Sequence, residues 1–351
     1  MAQWRWYRFS LRTLILVVVV LSVGFGMVGN LLRRIQRQAA IVAQIEANGG
    51  HISFSERRVG TSSAGPWLLR DLFGEEAFAK IDYVDTGSSS QSGEIISRLH
   101  ALPDVDWLDV EGPSVGDAQI REMARLPKLE FLYLSDVTVT PQGIAELQQS
   151  PMLESLTLDG DWVQDDTLEH LDKLAHLRTL HIVRTKVTSR GLIHIAKLSQ
   201  LRDLDFDANE AIGDAGMASL GELSSLEGLG LEEANITDQG VLLLQDLLQL
   251  KRLNLADNSV SDVSTETVGK FRQLKSLQLN NTKVGDKGLR NLKNLTAIEY
   301  LDLSDTLVSD AGIKELEDMK RLSILRLGGT AVSNEQFLNL ERRQGLQIWR
   351  Y

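Results

Sequence analysis

A 24-residue period constrains this chain more than any other feature. Leu129, Leu153, Leu177 and Leu201 lie 24 residues apart. After one inserted residue near Glu210-Ala211 the period resumes at Leu226, Leu250, Leu274, Ile298, Leu322 and Leu346, and Val105 and Ile81 fall on the same grid. The unit at 274–297, LKSLQLNNTKVGDKGLRNLKNLTA, is apolar at positions 1, 4, 6, 11, 16, 19 and 22: Leu274, Leu277, Leu279, Val284, Leu289, Leu292 and Leu295. A unit this short cannot bury its apolar face alone, so the units must stack on their neighbours.

Positions 4 and 6 are apolar with a polar residue between them, the period of a strand with one buried face. Position 9 carries Thr185, Asn209, Asn258, Thr282, Thr306 and Thr330, small polar side chains able to bond the turn after each strand. A Ser or Thr followed by Asp, as in Ser261-Asp262 and Ser309-Asp310, offers a helix N-cap and a first-turn acid. Apolar residues at 16, 19 and 22 make the inner stripe of a short helix. Strands stack about 4.8 Å apart whereas helices are about 10 Å wide, so the helical layer fans out and leaves a parallel sheet on the concave side. Twelve strands, from 81–86 to 346–351, predict an inner arc of roughly 50 Å.

These units resemble the leucine-rich repeat, LxxLxLxxNxL, over residues 105–351, with a degenerate unit at 81–104. Their second halves, as in Val308-Ser309-Asp310-Ala311-Gly312-Ile313 and Ile236-Thr237-Asp238-Gln239-Gly240-Val241, are similar to the subclass of bacterial leucine-rich-repeat proteins and of F-box proteins. The eukaryotic form usually has Cys in the helical half and this chain has none; no F-box-like segment precedes the repeats. The resemblance implies an α/β leucine-rich-repeat solenoid over 81–351 and protein–protein recognition, without the ubiquitin-ligase role.

Charge divides the chain. Residues 1–50 hold six Arg and one acid (Glu46), which leaves −16 on 51–351 out of a net −11. An acidic body argues against nucleic acid as its ligand. Residues 13–32 carry no formal charge, and Arg5, Arg8 and Arg12 with Trp4, Trp6 and Tyr7 precede them as a basic, aromatic flank over 1–12. Twenty helical residues span about 30 Å, so 13–32 is expected to be a transmembrane helix, an uncleaved signal anchor. With only twelve residues ahead of it and the large body behind it, the repeat domain is expected outside the cytoplasm, tethered to the cell membrane by a single pass.

Between anchor and repeats, 33–65 reads as a juxtamembrane helix stopped by Asn48-Gly49-Gly50, a short strand His51-Ile52-Ser53-Phe54, and a linker. Pro66 then opens a cap helix over 66–80. At the other end Leu346, Trp349 and Tyr351 fall on positions 1, 4 and 6, so the chain is expected to stop on a strand with large apolar residues.

Nothing in the sequence carries a catalytic motif. There is no nucleophile elbow, phosphate-cradling Gly loop or HExxH, and the repeats fill most of the chain. Neither an enzyme nor a cofactor is expected. His181, at position 5 of a strand near Arg184, reads as an ordinary surface histidine.

Positions 3, 5, 7 and 8 face the concave side. Its middle is acidic, with Asp203, Asp205, Asp207, Glu232, Glu233 and Asp257 on three adjacent strands, and Asp109, Glu111, Asp136, Asp159, Asp302 and Asp305 continue the sign. Such a face is a solvated surface, a seat for a basic protein or peptide, or a seat for a divalent cation. Trp107 and Phe131 at position 3, Tyr133 at position 5 and Trp162 at position 10 are expected to point outward, with segment 52–65 able to cover the first two. The candidate protein-binding residues are therefore Tyr133, Trp162, Asp205, Asp207, Glu232, Glu233 and Asp257. Two other readings keep the same fold: a structural envelope component without a specific ligand, and a substrate-recognition adaptor of a cytoplasmic complex.

Overall fold

A computed structural model describes residues 11–54, 80–88, 90–342 and 345–350, without the side chains of 11–25, 27 and 341. A long helix, α1 (Leu11–Ala47), precedes one sheet whose strands follow chain order. They are β1 (His51–Phe54), β2 (Ile81–Asp85), β3 (Trp107–Glu111), β4 (Phe131–Ser135), β5 (Ser155–Asp159), β6 (Thr179–Val183), β7 (Asp203–Asp205), β8 (Gly228–Gly230), β9 (Arg252–Asn254), β10 (Ser276–Gln278), β11 (Tyr300–Asp302), β12 (Ile324–Arg326) and β13 (Gln347–Trp349). β1 is antiparallel to β2, and each later strand is parallel to the one before it. Short helical segments alternate with the strands from β2 onward, giving the α/β repeat solenoid.

The register follows the apolar grid. Leu180, Leu204, Leu229, Leu253, Leu277, Leu301 and Leu325 form one ladder of position 4, and the inserted residue is absorbed between Leu204 and Leu229. All the apolar positions of the 274–297 unit are fully buried. The core is thus a continuous ribbon running the length of the array.

Three polar positions fix the turns. Position 9 bonds the turn as expected, and Asn does more than Thr. Thr282 Oγ1 donates to the Leu279 carbonyl at 2.6 Å, within its own unit. Asn258 Nδ2 donates to Ala256 of its own unit at 2.9 Å and to Leu231 of the preceding unit at 2.6 Å, while its Oδ1 accepts the Ile236 N–H at 2.8 Å. Position 8 is left-handed: Asp136, Arg184, Ala208, Glu233, Asp257, Asn281 and Asp305 have φ of 50 to 59°, and Gly112, Gly160 and Gly329 fill the same place in other units. This conformation favours Gly, Asn and Asp.

Position 13 holds the third device. Each Asp read as a first-turn acid also reaches into the next unit. Asp238 Oδ1 accepts the Ser261 N–H at 2.8 Å and Asp238 Oδ2 the Ser261 hydroxyl at 2.6 Å. Asp117 with Thr140, Asp165 with Thr188 and Asp286 with Ser309 repeat the pattern. Burial alone would raise the Asp238 carboxyl, but hydrogen bonds from Ser261 and Ser264 outweigh it and hold it below the ordinary range. A depressed carboxyl contributes stability that is present above its unfolded pKa, near 4, and lost as pH falls through the lower folded value. The melting temperature is therefore expected to drop as the pH falls below about 4, and Asp238→Asn should flatten that drop. Thermal melts over this pH range check it; an equally steep acid limb in the variant would remove Asp238 from the linkage.

The N-terminal end differs from expectation. Among the described residues no helix is long and apolar enough to cross a membrane, which overturns the anchor expected at 13–32 and the single-pass, non-cytoplasmic placement built on it. The described half of α1 is a packed element. Beyond Leu32 it carries Arg33, Arg34, Arg37 and Glu46, while Ile41 and Ile45 are buried in the solenoid core. The helix ends where Gly49 turns left-handed (φ 79°) and the Gly50 N–H returns to the Ile45 carbonyl at 3.0 Å, so the chain reverses into β1. α1 and antiparallel β1 together cover the first repeat. The cap helix expected over 66–80, apart from Lys80, and the linker expected over 55–65 lie outside the described residues.

The C-terminal end is corrected by one residue. Leu325 pairs with Ile348, so Ile348 takes position 4 and Trp349, 53% exposed, turns outward. A slip of one residue exchanges the two faces of a strand. Arg350 instead lies 3.9 Å over the Phe337 ring, closing that end.

Candidate protein-binding face

The residues proposed from sequence separate into two groups. Tyr133 on β4 and Trp162 after β5 meet around Asp159. The Tyr133 hydroxyl donates to Asp159 Oδ2 at 2.6 Å, the Trp162 indole N–H donates to the Asp159 carbonyl at 2.8 Å, and Arg184 pairs with the same carboxylate. Trp162 is half-buried against the core rather than outward, so its ring is largely committed. Burial, then the Asp159 hydrogen bond, raise the Tyr133 hydroxyl above its ordinary pKa and keep it protonated. β4 lies three strands from β7, about 14 Å, so these aromatics do not join the acidic centre in one site.

The acidic centre sits on β7, β8 and β9 and the turns after them. Asp205 Oδ1 accepts the Asp207 N–H at 2.8 Å. Asp207 Oδ1 accepts the Glu232 N–H at 2.7 Å, and Glu232 accepts Asn254 Nδ2 at 2.8 Å. Glu233 and Asp257 stand at the left-handed position 8, and Asp257 accepts Asn281 Nδ2. Their place in the turn accounts for Asp257 as readily as binding does. Glu233 gains no such backbone advantage and is exposed.

Asp207 is the outlier. Burial, then the charges of Asp205 and Glu232, push its carboxyl up to about 7, against the pull of the Glu232 N–H. A raised carboxyl works in the opposite sense from Asp238: the folded state keeps a proton that the unfolded chain releases. Stability contributed by that proton is present below about pH 4 and lost as pH rises through about 7. Asp207→Asn is therefore expected to be more stable than the parent at pH 8, by about 1–2 kcal/mol after allowing for solvent screening, with the gain vanishing near pH 4. Urea unfolding at the two pH values decides it; equal midpoints at pH 8 would mean that water already screens the cluster.

Sequence reasoning missed what shapes this centre. β8 reads Gly228-Leu229-Gly230, so both its outward positions lack side chains. The gap is a concave hollow of about 440 Å³ whose lining includes His181, Asp203, Asp205, Asp207, Arg252 and Asn254. Asp203 and Arg252 form an ion pair across Gly228, where a Cβ would collide with Asp203. A Cβ on Gly230 would press on Asp205. The signal was present as paired Gly at positions 3 and 5 of a single unit.

A second feature was read only in part: Trp107 and Phe131 point outward as expected, but His51 and Tyr83 join them. His51, Tyr83, Trp107 and Phe131 form a run of rings on β1 to β4, with centroids 6.4, 5.8 and 5.2 Å apart. Trp107 and Phe131 are 47% and 38% exposed. The part of 52–65 expected to cover them lies, from residue 55 on, outside the described residues. The convex side is not uniformly polar either, since Ile193, Leu242 and Leu243 are exposed. Among the described residues no group of three or more His, Asp or Glu has the arrangement to hold a metal ion.

Comparison with known proteins agrees with this architecture. A profile of the family described as Leucine Rich repeat matches residues 272–293. No curated protein sequence matches the chain. An internalin (inlF) from Listeria monocytogenes shares 20% identity over 72% of this chain and 76% of its own, with a TM-score of 0.54. A chain of the Rad7 and Elc1 complex in yeast shares 16% identity over 98% of both chains, with a TM-score of 0.58. Identities this low speak to fold alone. With one unit matching the family profile and the remainder repeating its register, the chain folds as a leucine-rich-repeat solenoid.

Proposed function

We propose that the chain is a protein-recognition module that binds a protein or peptide carrying basic residues on its concave face, over β7 to β9. One observation carries the reading. The Gly228/Gly230 gap opens a hollow against clustered carboxylates, one of which, Asp207, has its carboxyl pushed up to about 7 by burial and then by the charges of Asp205 and Glu232. A cation from a partner entering that hollow relieves the repulsion, and the sheet holds the acceptors rigidly while it does so. Glu232, Glu233 and Asp257 extend the same field toward the turns. Tyr133 is offered as a separate aromatic contact on β4; Trp162 contributes mainly by holding the turn beneath it. On this reading the module binds and performs no chemistry of its own. Cross-linking with mass spectrometry from intact cells tests the assignment. A reproducible partner whose cross-links fall on the concave turns supports it. A chain that cross-links only to itself, or through its convex helices, would leave a structural role instead.

A further inference from the structure

A basic hollow lies at the N-terminal end of the array, where α1 meets the first repeat. Asn30, Arg33, Arg34 and Arg37 of α1 and His100 and Pro103 of the first repeat line a hollow of about 550 Å³, and among the described residues no carboxylate lines it. The nearest acid, Asp104, is already shared by three cations: Lys128 at 2.5 Å, Arg34 at 3.7 Å and Lys80 at 3.9 Å. Arg33 is steadied by the Asn30 side-chain oxygen at 2.7 Å and the Gly29 carbonyl at 3.3 Å. Arg37 has no ion pair among the described residues, and His100 Nδ1 rests 3.1 Å from the Ser97 carbonyl, leaving Nε2 for another partner. Arg33 and Arg37 stand four residues apart on one helix, where like charges repel. An acidic chain of net −11 thus gathers three guanidinium groups in one concavity, of which Arg34 alone has an ion pair among the described residues.

We infer that this hollow is a binding site for a phosphoryl dianion, supplied either by a small phosphorylated molecule or by a phosphorylated side chain. Guanidinium forks match the oxygens of a phosphoryl group two at a time, and a compact dianion answers the charge excess better than a single carboxylate. The site is independent of the concave face and stands or falls apart from it.

The test uses the full chain with inorganic pyrophosphate and, in parallel, a phosphoserine peptide and its unphosphorylated twin, followed by calorimetry at fixed ionic strength. Pyrophosphate should bind saturably, and the combined substitution Arg33→Gln, Arg34→Gln, Arg37→Gln should weaken binding at least about tenfold. A second basic hollow on the helical side, which also contains Glu266, supplies the control: Lys270→Gln with Lys293→Gln should leave binding unchanged. Tighter binding of the phosphopeptide than of pyrophosphate identifies a phosphorylated chain as the source; the reverse order identifies a small molecule. As a readout on the unmutated chain, saturating pyrophosphate should slow phenylglyoxal labelling of Arg33 and Arg37 but not of Arg290. Absence of saturable binding by both probes, equal weakening by both sets of substitutions, or unprotected Arg33 and Arg37 would overturn the assignment.

Discussion

Leu277→Ala is expected to cost about 2–5 kcal/mol and to loosen the array locally rather than everywhere. Leu277 is fully buried on β10, between Leu253 and Leu301 in the position-4 ladder, so truncation leaves a cavity shared by three units. Because each unit contacts chiefly its neighbours, hydrogen exchange should quicken over β9 to β11 while β3 to β5 keep most of their protection. Uniform loss of protection along the solenoid would mean that the array unfolds as one cooperative block.

Asn258→Ala should be nearly as damaging, for a different reason. Its side chain satisfies the Leu231 carbonyl and the Ile236 N–H of the preceding unit, and both lie beside fully buried side chains. Orphaning buried backbone groups costs about 1–3 kcal/mol each, so a total of about 2–4 kcal/mol is expected. Thr282→Ala supplies the comparison, since Thr282 bonds only the Leu279 carbonyl of its own turn and should cost about 1 kcal/mol. Urea titrations of the two variants would reverse this account if Thr282→Ala proved the more harmful.

How much of this was legible in the sequence depended on whether a residue's role repeats. Apolar residues, mostly Leu, recur at positions 1, 4 and 6 of every unit from 105 to 345, and recurrence alone reveals a buried ladder and its register. The Asp of position 13 recurs as well, but it looks like an ordinary first-turn acid; its bond to the next unit crosses 23 residues and appears only when the units stack. Position 8 was read as concave surface charge, whereas the left-handed backbone there selects Asp257, Asp305 and Asn281 for the turn itself. Departures from periodicity were hardest to read. The final unit lacks one residue, so Ile348 rather than Trp349 pairs with Leu325. Gly228 and Gly230 act through side chains they do not have, which no tally of charged residues can register. At the N-terminus, hydropathy over 13–32 drew attention from the amphipathic stretch behind it, where Ile41 and Ile45 dock on the first repeat.

Binding kinetics on the concave face test the central claim most directly. With the cross-linked partner immobilised, surface plasmon resonance at two salt concentrations should show that Asp205→Lys with Asp207→Lys lowers the association rate at least about tenfold and weakens its salt dependence, because steering by opposite charge is lost. Tyr133→Ala should mainly quicken dissociation if the partner also reaches β4. Leu242→Ala with Leu243→Ala, exposed on the helical side, should leave both rates unchanged. Unaltered kinetics in the two concave variants together with loss of binding in the helical-side variant would contradict the assignment of recognition to the concave face.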